Sequence, residues 1–199
     1  MTITRSQLEG PVLEVAPALL GCLIESHGVT VRLTEVEAYA GQGEDPGSHA
    51  HRGRTPRTEI MFGPAGRLYV YFTYGMHWCA NVVTGPEGEA SAVLLRAGEV
   101  TAGHDVARTR RPGASDRDLC RGPARLAKAL GLDRDALGLD LIDPTSPVRL
   151  QRPPAVPGPV RSGPRVGVAG LGADLPWRFW LDGEATVSSY RPAVRRVRG

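Results

Sequence analysis

Leu68-Tyr-Val-Tyr-Phe-Thr-Tyr74, then Gly75-Met-His77, then Trp78-Cys-Ala-Asn-Val-Val-Thr84 is the stretch that decides the fold. Two runs rich in β-branched and aromatic residues, Leu68–Tyr74 and Trp78–Thr84, flank a Tyr-Gly-Met-His turn at 74–77, and this order predicts a hairpin. Gly85-Pro-Glu-Gly88 supplies the next turn, and Ser91–Ala97 reads as the strand that follows. Successive strands joined by short turns make a meander, so the sheet is predicted to be antiparallel.

Upstream, Thr30–Tyr39 has the composition of a strand. Strict alternation would put Val31, Leu33, Glu35, Glu37 and Tyr39 on one, core-facing side and Arg32, Thr34, Val36 and Ala38 on the other. A first helix is expected to open at Pro17 and to carry Leu19, Leu20 and Leu23. Residues 40–66 read as a long loop, of the kind that is usually functional or mobile in a compact domain. Downstream, residues 101–118 are polar and Arg-rich, a loop or frayed helix. Gly122-Pro123 opens a helix over Pro123–Leu130, with Leu126 and Leu130 at helical spacing and Gly131 as its stop. Prolines between Pro144 and Pro164 recur too often for regular structure, and two late strands are expected near Arg165–Ala169 and Trp177–Leu181. The whole predicts one α+β domain over residues 1–199: an antiparallel sheet core with surrounding helices and long loops.

The 199 residues suffice for a sizeable core, and a hydrophobic share of 41% excludes a wholly disordered chain. No apolar run reaches the roughly 20 residues needed to span a bilayer. The first residues lack the basic-then-apolar order of a secretory signal, which predicts an intracellular protein with no membrane partner. Cys22, Cys79 and Cys120 are widely spaced and read as buried free thiols. His49 and His51 lack partners at zinc spacing, so no metal is expected. Of 24 basic residues all but Lys128 are Arg. Residues 1–100 carry 7 basic and 11 acidic groups, and residues 101–199 carry 17 and 10. That split suggests a basic face, drawn largely from the second half and suited to a polyanion; an Arg-rich solvated surface is the plainer reading of the same numbers.

Seven of the 11 aromatic residues fall between Tyr39 and Trp78. Glu35, Glu37, two histidines and Arg52, Arg54 and Arg57 share that window. Rings beside guanidinium groups are what nucleic-acid sites use, the rings taking base faces and the cations taking phosphates. Carboxylates on the core-facing parity of a strand are costly unless paired or functional. Taken singly, each of these residues has an ordinary packing role; their concentration favours a nucleic-acid site.

The same residues carry a family likeness. Thr34-Glu-Val-Glu-Ala-Tyr39, Asp45-Pro-Gly-Ser-His49, Arg54-Thr-Pro-Arg57, Met61-Phe-Gly-Pro-Ala-Gly-Arg-Leu-Tyr-Val-Tyr71 and Tyr74-Gly-Met-His77 resemble the alkyladenine (3-methyladenine) DNA glycosylase family. Asn81-Val-Val83, Val93-Leu-Leu-Arg-Ala97, Leu119-Cys-Arg-Gly-Pro-Ala-Arg-Leu126 and Arg165-Val-Gly-Val168 continue the likeness in the family's order. The long N-terminal extension of some animal members has no counterpart, which points to a bacterial-type member.

The resemblance implies a monofunctional, cofactor-free and metal-free DNA repair enzyme. It would act as a cytoplasmic, nucleoid-associated monomer on double-stranded DNA, hydrolysing the N-glycosidic bond to a damaged purine. Carried over by position, Glu37 is the general base, with Arg96 and the backbone carbonyl of Val166 helping to hold the attacking water. Tyr39, His49, Tyr71 and Asn81 line the flipped-base pocket, Asn81 discriminating against the exocyclic amine of guanine. Tyr74 enters the duplex. Arg52, Arg54 and Arg57 are expected on the DNA backbone. An adjacent Arg96 would keep Glu37 ionised. Glu35, about 7 Å away by strand rise, competes for the catalytic role. Two rivals stand beside this reading: a polysaccharide glycosidase using Glu35 and Glu37 as its acid–base pair, and a nucleic-acid-binding module without activity.

Overall fold

A computed structural model describes residues 3–153 and 158–193 of the chain. Its strands are β1 (Leu23–Ser26), β2 (Val29–Tyr39), β3 (Leu68–Thr73), β4 (His77–Val83), β5 (Ala92–Ala102), β6 (Val148–Gln151), β7 (Val160–Gly163) and β8 (Arg178–Leu181). The helices are α1 (Val12–Ala18), α2 (His104–Arg110) and α3 (Pro123–Leu130), with short 3₁₀ turns between. The sheet runs β3-β4-β5-β2-β1-β6, and all its pairings are antiparallel. β2 is the organising strand. One edge pairs with β5; the other pairs with β1 through Val29–Arg32 and with β8 through Glu35–Glu37. The chain is thus α+β, and the β3-β4-β5 meander stands as its turn chemistry predicts. Among the described residues no helix is long and apolar enough to cross a membrane.

The main core packs one face of the sheet against α1 and α3. Leu68, Val70, Ala80, Val82, Val93 and Leu95 point into it beside Leu126 and Leu130. The alternate residues of the same strands face the other way. There Tyr69, Val83 and Ala92 join Ala50, Met61 and Phe62 in a second, smaller cluster, which fastens the loop after β2 to the sheet. The loop contains one regular turn, a 3₁₀ segment over Glu59–Phe62.

β2 departs from strict alternation, and the departure positions the site. Val31 and Leu33 lie in the main core, but so do Val36 and Ala38. Register shifts on either side of Glu35 mark a bulge, which reverses the phase of the strand. Glu35, Glu37 and Tyr39 therefore do not share a face with Val31 and Leu33, contrary to the simple parity. Across the bulge sits Gly98, paired with Leu33. A Cβ there would stand 2.5 Å from the Arg32 carbonyl oxygen, so the close approach of β5 to β2 requires glycine.

Other elements also differ from expectation. The first helix contains Pro17 in its last turn rather than opening at it: it starts after Pro11, which fixes an entry φ of −54°, and ends one residue past Pro17. Leu19 and Leu20 follow it, and Leu23 belongs to β1. Two four-residue strands fit inside the proline-rich stretch because each lies between prolines: β6 between Pro147 and Pro153, β7 between Pro159 and Pro164. Residues 154–157 of that stretch lie outside the described ones. Arg165–Ala169 is not a strand, since Gly167 takes φ 75° in a turn. α3 has the expected bounds, with Gly131 left-handed at its end. All three cysteines are buried free thiols; burial pushes Cys22 and Cys120 up to about 12.

Candidate active site

On the face opposite the main core, β2, β3, β4 and β5 each turn alternate residues into one cavity of about 470 Å³. Glu37 and Tyr39 come from β2, Tyr69 and Tyr71 from β3, Cys79 and Asn81 from β4, Leu94 and Arg96 from β5. Val166, His49 and Tyr74 also line the cavity. Eight residues singled out from the sequence (Glu37, Tyr39, His49, Tyr71, Tyr74, Asn81, Arg96 and Val166) therefore converge on one space. A roomier cavity of about 720 Å³ lies elsewhere; it carries the exposed Glu9, Glu44 and Glu89 and none of those eight.

Glu37 is fully buried, and both its oxygens are held. Oε1 accepts the backbone N–H of Val166 at 2.7 Å, and Oε2 accepts the Tyr39 hydroxyl at 3.0 Å. Arg96 Nε stands 3.5 Å from Oε1. Burial raises the pKa of this carboxyl; Arg96, the Val166 amide and Tyr39 oppose the rise without cancelling it. Arg96 favours the ionised form of Glu37, in the direction expected of an adjacent cation, and burial works against it. Val166 meets Glu37 through its backbone N–H.

Glu35 is occupied differently. Its Oε1 accepts Arg96 Nε at 2.9 Å, Arg178 Nη1 at 3.1 Å and Ser188 Oγ at 3.0 Å, and its Oε2 accepts the Ser188 N–H at 2.7 Å. It does not line the cavity. A carboxylate so saturated has no capacity left for a substrate, and its role is to orient Arg96. An acid–base pair built from Glu35 and Glu37 therefore has no geometric support.

His49 presents one edge to solvent. Its Nε2 faces Arg57 Nη2 at 3.3 Å; because a guanidinium only donates, Nε2 accepts and Nδ1 carries the proton toward the Tyr69 hydroxyl at 3.0 Å. Burial of the rest of the ring, then the Arg57 charge, lowers its pKa to about 4, so it is neutral near pH 7. The His49 and Tyr71 rings meet edge to face at 4.6 Å. Burial pushes the hydroxyl pKa of Tyr39 and Tyr71 upward, so both stay protonated. Asn81 gives Nδ2 to the Tyr69 carbonyl at 3.0 Å, which fixes its amide against the cavity wall.

Tyr74 sits at the tip of the β3–β4 hairpin, 86% exposed. Its φ is 52° and that of Gly75 is 66°, the left-handed sense that two-residue turn centres need to match strand twist. Met76 beside it is 66% exposed. Arg52, Arg54 and Arg57 are exposed and outside the cavity wall. Arg54 pairs with Glu59 at 2.6 Å and lies over the Phe62 ring, and Arg57 lies over the Tyr71 ring at 5.5 Å. A second cleft borders the site and shares Arg96 and Val166 with the first cavity; Arg121, Arg125 and Arg191 line it together with Asp118, which stands 3.4 Å from Arg121 and 3.9 Å from Arg125. Reading the sequence alone also missed Tyr69, Arg178, Ser188 and the buried pair Asp45–Arg165. Asp45 and Arg165 each stood in a motif, but nothing in a linear motif shows that the two meet across 120 residues.

The family model described as methylpurine-DNA glycosylase matches residues 6–185. A protein of Streptomyces avermitilis, provisionally named a 3-methyladenine DNA glycosylase, is 53% identical over 98% of this chain and 95% of its own. Similar proteins with the same provisional name occur in Nocardia farcinica (54% identity; 90% of this chain, 87% of that one) and Burkholderia lata (46%; 98% and 93%).

Proposed function

Because the chain belongs to the methylpurine-DNA glycosylase family, we propose that it is a monofunctional DNA repair glycosylase that uses water to release damaged purines from double-stranded DNA. One observation carries the reading: among the described residues Glu37 is the single carboxylate on the wall of the aromatic cavity, with both oxygens oriented. A purine inside a duplex is out of reach, so its nucleotide must rotate out. Tyr74 would fill the hole while Tyr39 and Tyr71 take the base. An N-alkylated purine carries positive charge and is already a good leaving group. The protein then needs one carboxylate to deprotonate a water and support the oxocarbenium-like transition state, with Arg96 and the Val166 carbonyl holding that water. No cofactor enters this chemistry. The rival module without activity is disfavoured by the intact grouping of Glu37, Arg96 and Asn81. We further infer a single domain acting as a monomer in the cytoplasm.

The direct test incubates the purified protein with alkylated duplex DNA and measures free bases. Expected are methylated purines, with strands that break only after alkali. No released base, or breakage without alkali, would overturn the reading.

Binding should depend steeply on salt. If Arg52, Arg57, Arg121, Arg125 and Arg191 each meet a phosphate, the slope of log affinity against log salt is about −4.5, at roughly −0.9 per contact. A titration on undamaged duplex measures it, and a slope shallower than about −1 contradicts the assigned face. Asn81→Ser should act on selectivity: with no fixed amide against the purine edge, release of guanine bases relative to adenine bases should rise about tenfold. A lower Tm with an unchanged ratio would reduce Asn81 to its bond with the Tyr69 carbonyl.

A further inference from the structure

Asp45 and Arg165 are both fully buried and form a two-pronged ion pair, Arg165 Nη1 to Oδ2 at 2.5 Å and Nη2 to Oδ1 at 2.7 Å. Neither touches Glu37 by hydrogen bond or ion pair. Between them, however, they tie together the three segments that do the holding. Arg165 Nη1 also donates to the Ala38 carbonyl at 2.9 Å, and the guanidinium lies 4.6 Å from the centre of the Tyr39 ring and 5.0 Å from that of Trp177. Asp45 accepts the N–H groups of Ala40 at 3.2 Å and Gly47 at 2.9 Å, which anchors the loop that carries His49. The residue after Arg165 is Val166, whose amide meets Glu37.

The 165–169 segment belongs to no strand, so a sheet ladder does not fix the Val166 amide. Its neighbour's side chain does. A buried ion pair is a poor device for stability, since apolar residues of similar size often serve as well or better. Here Arg165 Nε is buried without an acceptor among the described residues, a further cost that stability alone does not explain.

We propose that the Asp45–Arg165 pair is a positioning clamp for the reaction, setting the Val166 amide on one oxygen of Glu37 and the Tyr39 hydroxyl on the other. The proposal rests on the glycosylase reading for its consequence, but its geometry can be tested without turnover. The groups that face Glu37 are Arg96 from β5, Tyr39 and Glu35 on its own strand, Tyr71 from β3, Cys79 from β4, and Arg165 with the Val166 amide. Tyr39, Tyr71 and Cys79 are all pushed upward by burial and stay neutral where Glu37 titrates. The Val166 and Tyr39 hydrogen bonds favour the ionised carboxylate, so loosening them must raise its midpoint further.

Three variants loosen the clamp in different ways. Asp45→Asn removes one charge. Arg165→Lys keeps the charge and loses the two-pronged fork. Gly47→Ala keeps both charges, but its Cβ would lie 2.8 Å from Arg165 Nη2 and 3.2 Å from Asp45 Oδ1. For each, carbon-13 NMR of labelled glutamate follows the Glu37 midpoint, and single-turnover base release is measured against pH, with Tm and affinity for duplex carrying an abasic analogue alongside. Expected are an upward shift of the Glu37 midpoint, a matching shift of the acid limb of the rate profile, and a loss of rate of about tenfold, in keeping with a sub-ångström misplacement. Asp45→Asn and Arg165→Lys should keep affinity within about threefold, because neither side chain lines the cavity; Gly47 does line it, so that variant is judged by its Glu37 midpoint. An unmoved Glu37 midpoint in the variants that fold, with rate lost only in proportion to unfolded protein, would overturn the clamp. If the wild-type protein releases no base, the glycosylase reading fails, while the NMR midpoint still decides the clamp. Gly47→Ala and Arg165→Lys supply that measurement if Asp45→Asn does not fold.

Discussion

Glu37→Gln should lower base release by about 10²–10⁴-fold, the usual contribution of a positioned general base, while leaving affinity for damaged duplex nearly unchanged. Gln keeps the length and the contacts of the side chain: its carbonyl can still accept from Val166 or Tyr39, so the cavity should hold its shape. What disappears is the capacity to take a proton from water. Glu35→Gln should behave in the opposite way. Its carboxylate faces Arg96 and Arg178 in a buried site, and uncompensated buried charge costs about 3–5 kcal/mol. The loss should therefore appear mainly as a lower Tm, with the folded fraction losing far less activity than Glu37→Gln. Single-turnover kinetics and thermal unfolding on both variants separate the roles, and an exchange of the two behaviours would sink the assignment. The pH profile gives an independent check. Burial raises the Glu37 pKa, and the base must be ionised to work. The rate should therefore fall on the acid side through a midpoint above the ordinary glutamate range, and Glu37→Gln should abolish that limb.

How far the sequence carried this reading depends on the kind of signal. Turn chemistry is local, so the Leu68–Thr84 hairpin, the meander and α3 with its glycine stop were legible residue by residue. The motif blocks named eight residues that meet in one cavity because each strand contributes every second residue to it. Parity failed where the backbone did: the bulge around Glu35 changes phase without any glycine or proline in β2 to announce it. It is also why Glu37 can be buried in a polar cavity rather than in the apolar core. The short strands β6 and β7 were hidden because proline frequency over a long window obscures four-residue gaps between prolines. The Asp45–Arg165 and Glu35–Arg178 pairs join segments more than 100 residues apart, and such contacts are set by the tertiary fold rather than by spacing along the chain.

Tyr74 yields the sharpest separation between a residue kept for stability and one kept for function. Its side chain is 86% exposed, so removing it sacrifices almost no packing. Its backbone, at φ 52°, is in the region that costs non-glycine residues roughly 1–2 kcal/mol. Tyr74→Gly should thus leave Tm unchanged or raise it slightly, the gain from relieved strain being partly offset by the greater freedom of glycine in the unfolded chain. Glycosylase activity should move the other way. With no ring to occupy the vacated stack, the flipped state loses the few kcal/mol that unstacking demands, and base release from duplex should fall by one to two orders of magnitude, at about 1.4 kcal/mol per factor of ten. A lesion in single-stranded DNA has little stacking to lose, so the same variant should be nearly unimpaired there. The measurement is the ratio of single-turnover rates on duplex and single-stranded substrates, taken with Tm for each protein. Equal losses on both substrates would move Tyr74 from the duplex to the base pocket, and a Tm several degrees lower would make the hairpin tip a structural element. An unchanged or slightly higher Tm with a loss confined to duplex is the outcome that a strained, exposed aromatic wedge demands.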